Sequence, residues 1–127
     1  MKKPISWKTE FVTLLIFVAT AITAEGQTFT TLDSFNGANG EGPYQAALVQ
    51  GEDGNLYGTT YGGGTSNGGT VFRITNQGTL TTLYGFCGLP KCIDGDQPSA
   101  GLTLAVDGNF YGTTLSGGAN GWGAVLR

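Results

Sequence analysis

Hydrophobic positions along the chain fall into two regimes: residues 11–24 are almost continuously apolar, whereas from residue 28 onward apolar residues come in short runs cut by Gly, Asp and Asn. Runs of roughly four to eight residues bounded by turn formers predict strands rather than helices, which need a longer pattern repeating about every 3.6 residues. The spacing predicts a first strand over 46–50, a turn at Asp53-Gly54, a second strand over 55–60 and a third over 70–75. A turn at Asn76-Gln77-Gly78 and a fourth strand over 79–86 complete a four-stranded meander. Asp-Gly favours a tight hairpin, and the fourth run is rich in the Thr, Leu, Tyr and Phe that suit a pleated surface. In the second strand Leu56 and Gly58 share one face and Asn55, Tyr57 and Thr59 the other. Gly58, having no side chain, predicts the close approach of a neighbouring backbone.

This unit is written twice. D-G-N-L-Y-G-T-T at 53–60 returns as D-G-N-F-Y-G-T-T at 107–114, a shift of 54 residues. At the same shift Leu48 matches Leu102, Gly63-Gly64 matches Gly117-Gly118, Gly69 matches Gly123, Val71 matches Val125 and Arg73 matches Arg127. Upstream, F-T-T-L-D-S-F-N-G at 29–37 matches L-T-T-L-Y-G-F-C-G at 80–88 at a shift of 51, so the second linker is longer by three residues. That extra length falls between Cys87 and Pro98, and the second unit then opens with a strand over 101–106.

A period near 50 residues with four strands per unit predicts an all-β fold of β-propeller-like meander blades; a β-solenoid, the rival, has shorter coils. The chain divides into a signal segment at 1–26, an orphan N-terminal fourth strand over 29–35 with its linker (27–45), a first blade at 46–88 and an incomplete second blade at 89–127. About two blades make an incomplete propeller, since closed rings use about four to eight. The orphan strand is what the second unit lacks, so the loose ends are complementary in a longer chain or in a homo-oligomer joined through open blade edges. The alternative is a truncated fragment of a larger propeller protein.

The first regime reads as an export signal. Lys2, Lys3 and Lys8 precede the apolar run, which turns polar at Glu25-Gly26-Gln27, with small residues for cleavage at Ala19-Thr20-Ala21 or Ala24-Glu25-Gly26. As helix, about 14 apolar residues cover only ~21 Å of a ~30 Å hydrocarbon core, so a membrane anchor is disfavoured and no membrane span remains after removal. Downstream of the signal, three basic side chains (Arg73, Lys91, Arg127) face seven acidic ones, so the exported part is mildly acidic.

Composition narrows the class further. Gly supplies 23 of 127 residues and charged residues 12%, which disfavours a helix bundle, while 39% hydrophobic residues disfavour a disordered tail. A net charge of −3, with no Lys/Arg cluster outside the first eight residues, argues against nucleic acid as a partner. Export means an oxidising setting, so Cys87 and Cys92, separated by Gly-Leu-Pro-Lys, read first as a local disulfide. A metal pair or redox centre competes, against the absence of His and of C-x-x-C spacing.

Together D-G-N-L-Y-G-T-T, G-G-T-V-F-R-I, L-T-T-L-Y-G-F-C and D-G-D-Q-P-S-A-G-L resemble the GloVer tandem repeat of exported bacterial proteins, over about residues 28–127. Members are often called choice-of-anchor tandem repeat proteins, for their varied C-terminal sorting signals. The resemblance implies export, tandem repeats, a propeller-like fold and, commonly, paired cysteines in this linker; it implies no catalytic residues. The sequence departs from that pattern in having two copies and no anchor segment, which leaves surface attachment open.

Candidate chemistry is sparse. With no His, nucleophilic catalysis by a His base is excluded. Asp94, Asp96 and Glu41 lie in inter-unit loops and could act as acid and base in glycoside cleavage, the basis of a carbohydrate-active enzyme as alternative. Asp94 and Asp96 are also weak Ca²⁺ candidates, since two carboxylates fall short of the roughly six to eight oxygens that cation takes. Asp53 and Asp107 each precede Gly at a hairpin and read as turn formers. Tyr57, Tyr61, Tyr111 and Trp122 could form an aromatic platform for sugar rings, with packing between blades as the bland reading. The Gly62–Gly64 and Gly117–Gly118 runs lack the G-K-[ST] ending of a phosphate loop. The expectation is an exported repeat protein with a non-catalytic binding or scaffolding role at the cell surface or outside, no cofactor, and an extracellular polysaccharide or protein as partner.

Overall fold

A computed structural model describes residues 2–3 and 26–127; the expected export signal lies almost wholly outside the described residues. The described part is all-β: β1 Val49–Gln50, β2 Leu56–Thr60, β3 Thr70–Ile74, β4 Leu80–Gly85, β5 Thr103–Leu104, β6 Phe110–Thr113 and β7 Val125–Leu126. A 3₁₀ turn covers Pro90–Cys92. β1 to β4 form an antiparallel sheet in chain order, and β5 to β7 form a second, three-stranded one. The four-stranded meander is thus present, and neither sheet closes on itself.

The repeated octapeptide explains itself residue by residue. In each copy the Asp Oδ1 accepts the amide two residues on, Asn55 at 3.1 Å and Asn109 at 3.0 Å. Gly54 and Gly108 then take φ of +78° and +77°, and their amides close the turn onto the carbonyls of Gly51 and Ala105 at 3.0 Å. This is a three-residue connection ending in a left-handed glycine, rather than a two-residue hairpin. Gly58 makes room for a ring, since a Cβ there would lie 2.7 Å from the Phe72 side chain; the expected backbone neighbour is not what it admits. Thr60 and Thr70, both fully buried, share a hydroxyl–hydroxyl bond of 2.8 Å, and Thr114 accepts the amide of Ala124 at 2.9 Å in the second sheet.

Two faces of the first sheet do different work. Leu56, Gly58, Phe72 and Ile74 alternate onto one side, where Phe35 meets Phe72 edge-on at 5.1 Å. Tyr57, Thr59 and Val71 point the other way, towards the second sheet. There the Tyr57 ring lies 4.3 Å from that of Phe110, the Thr59 hydroxyl donates to the Ala100 carbonyl at 2.9 Å, and Gln45 and Ala100 form a parallel bridge.

Several expected strands shrink or vanish. Residues 46–48, 101–102 and 105–106 are not paired strand; Gly101 instead lies against the backbone of Ala47, across the joint between sheets. The orphan strand expected over 29–35 does not form a ladder, because the described residues hold no third strand beside it to accept its hydrogen bonds. Its residues instead cover the first sheet through Leu32 and Phe35, lining a groove with Phe72 and Leu80.

The linkers follow the same plan in both copies. Gly63 meets Gly37, Gly40 and Glu41 as Gly117 meets Cys92, Gly95 and Asp96. Glu41 bridges Gly62 as Asp96 bridges Ser116. Residues 37–41 therefore correspond to 92–96 at a shift of 55, whereas 29–35 correspond to 80–86 at 51. The inserted residues bulge between Cys87 and Cys92, which are joined as a disulfide.

Candidate binding cleft

Where the two sheets face each other an open cleft of about 520 Å³ remains, walled by Tyr57, Tyr84, Asp94, Asn109, Phe110 and Arg127 among others. Tyr57 enters from β2, Phe110 from β6 at the position that matches Leu56, and Tyr84 from β4 opposite Val71. Apolar side chains form the floor, with Leu102 buried beneath.

Hydrogen bonding fixes the polar rim. Tyr84 donates its hydroxyl to Asp94 at 2.9 Å, and Asp94 also accepts the amides of Gly88 (3.1 Å) and Leu89 (3.3 Å). Burial alone would raise the Asp94 carboxyl, but the Tyr84 hydroxyl and these amides outweigh it and hold it below the ordinary range. Burial, and then the bond to Asp94, push the Tyr84 phenol up. Asp94 is thus the anchor of the disulfide loop and the one acidic side chain lining the cleft.

Asp53 and Asp107 are anchored the same way. Asn55 Nδ2 and the Tyr57 hydroxyl donate to Asp53 Oδ2 at 2.6 and 2.8 Å; Asn109 Nδ2 and the Tyr111 hydroxyl donate to Asp107 Oδ2 at 3.0 and 2.7 Å. The Asn amide and then the Tyr hydroxyl lower both carboxyls, Asp107 to about 2. These folded values lie below the ordinary carboxylate value. The stabilisation they carry is complete above about pH 4 and is lost as pH falls towards about 2. The thermal midpoint is therefore expected to drop between about pH 4 and about pH 2, and a double Asp53→Asn, Asp107→Asn chain to show a shallower slope. Equal slopes in the two melts would contradict this assignment.

The four aromatic residues singled out by sequence are not brought together. Tyr57 lines the cleft, with its hydroxyl engaged by Asp53. Tyr111 alternates with Phe110 on β6 and so lies on the far face of the second sheet. Tyr61 packs edge-on to Tyr44 at 5.3 Å beside a separate groove with Glu41 and Gln97. Trp122 stands 91% exposed in the turn before β7. Asp96 accepts from the Ser116 hydroxyl at 3.1 Å, and among the described residues no three His, Cys, Asp or Glu side chains gather as a metal site. Glu41 and Asp96 occupy matching loops, Glu41 bridged to Gly62 and Asp96 to Ser116. Tyr84, Asn109 and Arg127 were missed by sequence reasoning. Tyr84 carried a signal, as the position where L-T-T-L-Y departs from the F-T-T-L-D of the upstream copy.

Fold and site define an all-β protein of tandem antiparallel units in which the shared motif builds turns and joints. The model of the Gloeobacter/Verrucomicrobia repeat matches residues 18–127, and the chain belongs to that repeat family. Comparison with curated proteins and with solved structures gives no match. Among the described residues no helix is long and apolar enough to cross a membrane.

Proposed function

We propose that the chain is an exported, propeller-type repeat protein with a non-catalytic binding role at the cell surface or outside the cell, and that its ligand is a neutral polysaccharide taken between the two sheets. The observation that carries this reading is the composition of the cleft. Two tyrosine rings and Phe110 offer apolar faces, while Asn109 and Arg127 stand at the same opening with hydrogen-bonding groups. Sugar rings present that combination of C–H faces and hydroxyls. The family membership and the disulfide support an oxidising destination.

Titration of the folded chain with soluble neutral glycans, followed by calorimetry, tests the proposal. Tyr84→Ala is expected to weaken binding about tenfold or more, and Trp122→Ala to leave it unchanged. No binding to any neutral glycan, or equal loss in both variants, would overturn it.

A further inference from the structure

Away from the cleft, a groove of about 290 Å³ lies where the two linkers meet the β2–β3 loop, lined by Glu41, Tyr44, Tyr61, Asn67 and Gln97 among others. Tyr44 and Tyr61 stand edge-on at 5.3 Å, and Tyr44 is 76% exposed. Each of the four uncharged side chains sits where the two copies of the unit differ: the counterparts of Tyr44, Tyr61, Asn67 and Gln97 are Ser99, Leu115, Gly121 and Gly42. Residues beside them do repeat, Pro43 matching Pro98 and Gly63 matching Gly117. The frame is common to both copies, and the lining of the groove is not.

Two of these residues hold an unfavourable backbone conformation. Asn67 lies at φ +58° and Gln97 at φ +59°, where the other copy places Gly121 at +79° and Gly42 at +60°. Glycine adopts such angles freely, whereas a residue with a Cβ gives up stability there, Asn less than Gln. Asn67 has a local reason: its Oδ1 accepts the Gly63 amide at 3.0 Å, which turns its Nδ2 hydrogens to other partners. Gln97 has none of comparable strength, since its Oε1 takes only a long bond of 3.4 Å from the Ser116 hydroxyl. A strained amide side chain kept where glycine serves the fold equally well points to a ligand.

The groove offers aromatic faces, amide N–H donors and one carboxylate, and among the described residues no Lys or Arg lines it to neutralise Glu41. A sugar ring meets tyrosines through its C–H face and amides through its hydroxyls, and the unpaired carboxylate favours a ring that carries positive charge. Going beyond the neutral-glycan cleft, and independently of it, we propose that this groove is a second binding site, for an amino-sugar unit with a free ammonium group. Tyr44 supplies the platform, Asn67 and Gln97 donate to the sugar hydroxyls, and Glu41 accepts from the ammonium.

Calorimetric titration of the full chain, produced by export from a bacterial host, with the glucosamine disaccharide tests the site, and the N-acetylated disaccharide is the uncharged comparison. The glucosamine form is expected to bind about tenfold more tightly, and Glu41→Gln to erase the difference. Gln97→Gly and Tyr44→Ala are each expected to weaken binding about tenfold, and Trp122→Ala to leave it unchanged. Because Gln97→Gly installs the residue that the first copy carries at the same backbone angle, its thermal midpoint is expected to equal or exceed that of the parent. Binding of neither disaccharide, displacement of the sugar by an equal concentration of dilysine, affinity indifferent to Gln97→Gly, or a Gln97→Gly chain that melts below the parent would each overturn the proposal.

Discussion

Replacing Gly63 with alanine is expected to remove most or all of the folded population. Gly63 sits at φ +76°, and a Cβ there would lie 2.5 Å from the Gly37 carbonyl oxygen, 2.6 Å from the Gly40 carbonyl carbon and 2.7 Å from the Glu41 amide nitrogen. These neighbours are backbone and cannot rotate away. Glu41 and Gly62 hold each other through two amide–carbonyl bonds of 2.8 and 2.9 Å, so relief of the overlap breaks the linker from the sheet. The left-handed conformation alone costs a non-glycine residue about 1–2 kcal/mol. Adding the overlap takes the loss to several kcal/mol, a large share of the roughly 5–15 kcal/mol typical of a domain. Gly121→Ala is the control, with φ +79° and open space around the added carbon. Urea melts of the two chains check this, and midpoints that agree would show that the linker yields.

Phe72→Ala is expected to cost about 3–5 kcal/mol, the usual range for emptying a buried aromatic site. The ring is 4% exposed, fills the space left by Gly58 and carries Phe35 on its edge. Gly58 has no side chain with which to refill the hole, so collapse of the site is limited. Val106→Ala, a β-branched residue that is fully exposed, is expected within about 0.5 kcal/mol of the parent. Denaturant unfolding of both separates a keystone ring from a surface residue; similar losses would mean that the first sheet is not the cooperative core.

Much of this architecture was written in the sequence, because turns and repeats are local. Asp53-Gly54 and Asp107-Gly108 form turns where the dipeptides fall, and β2, β3 and β4 lie within a residue or two of the predicted runs. What could not be read there depends on partners far along the chain. Residues 29–35 have the composition of a strand, yet strand character needs a neighbour to share hydrogen bonds, and among the described residues none adjoins them. Tyr57 and Tyr111 are identical in sequence context but differ in surroundings, since only Tyr57 has another sheet laid against its ring. The cleft itself escaped notice because Tyr84, Asp94 and Asn109 come from three separate segments that meet only once the sheets stack. The carboxylates were partly legible: the turn role of Asp53 and Asp107 followed from the next residue, whereas the role of Asp94 rests on Tyr84, ten positions away.

The bulge closed by Cys87 and Cys92 sits between segments that keep the same relation to their sheets in both copies. Length gained there is spent on the outside, with no shift imposed on either neighbour. An array built on this plan separates what must stay constant from what is free to vary. The octapeptide and its glycines hold the lattice, while each successive linker can carry a different length and chemistry beside the opening between sheets. A family of such proteins can therefore vary one loop at a time, with its frame untouched.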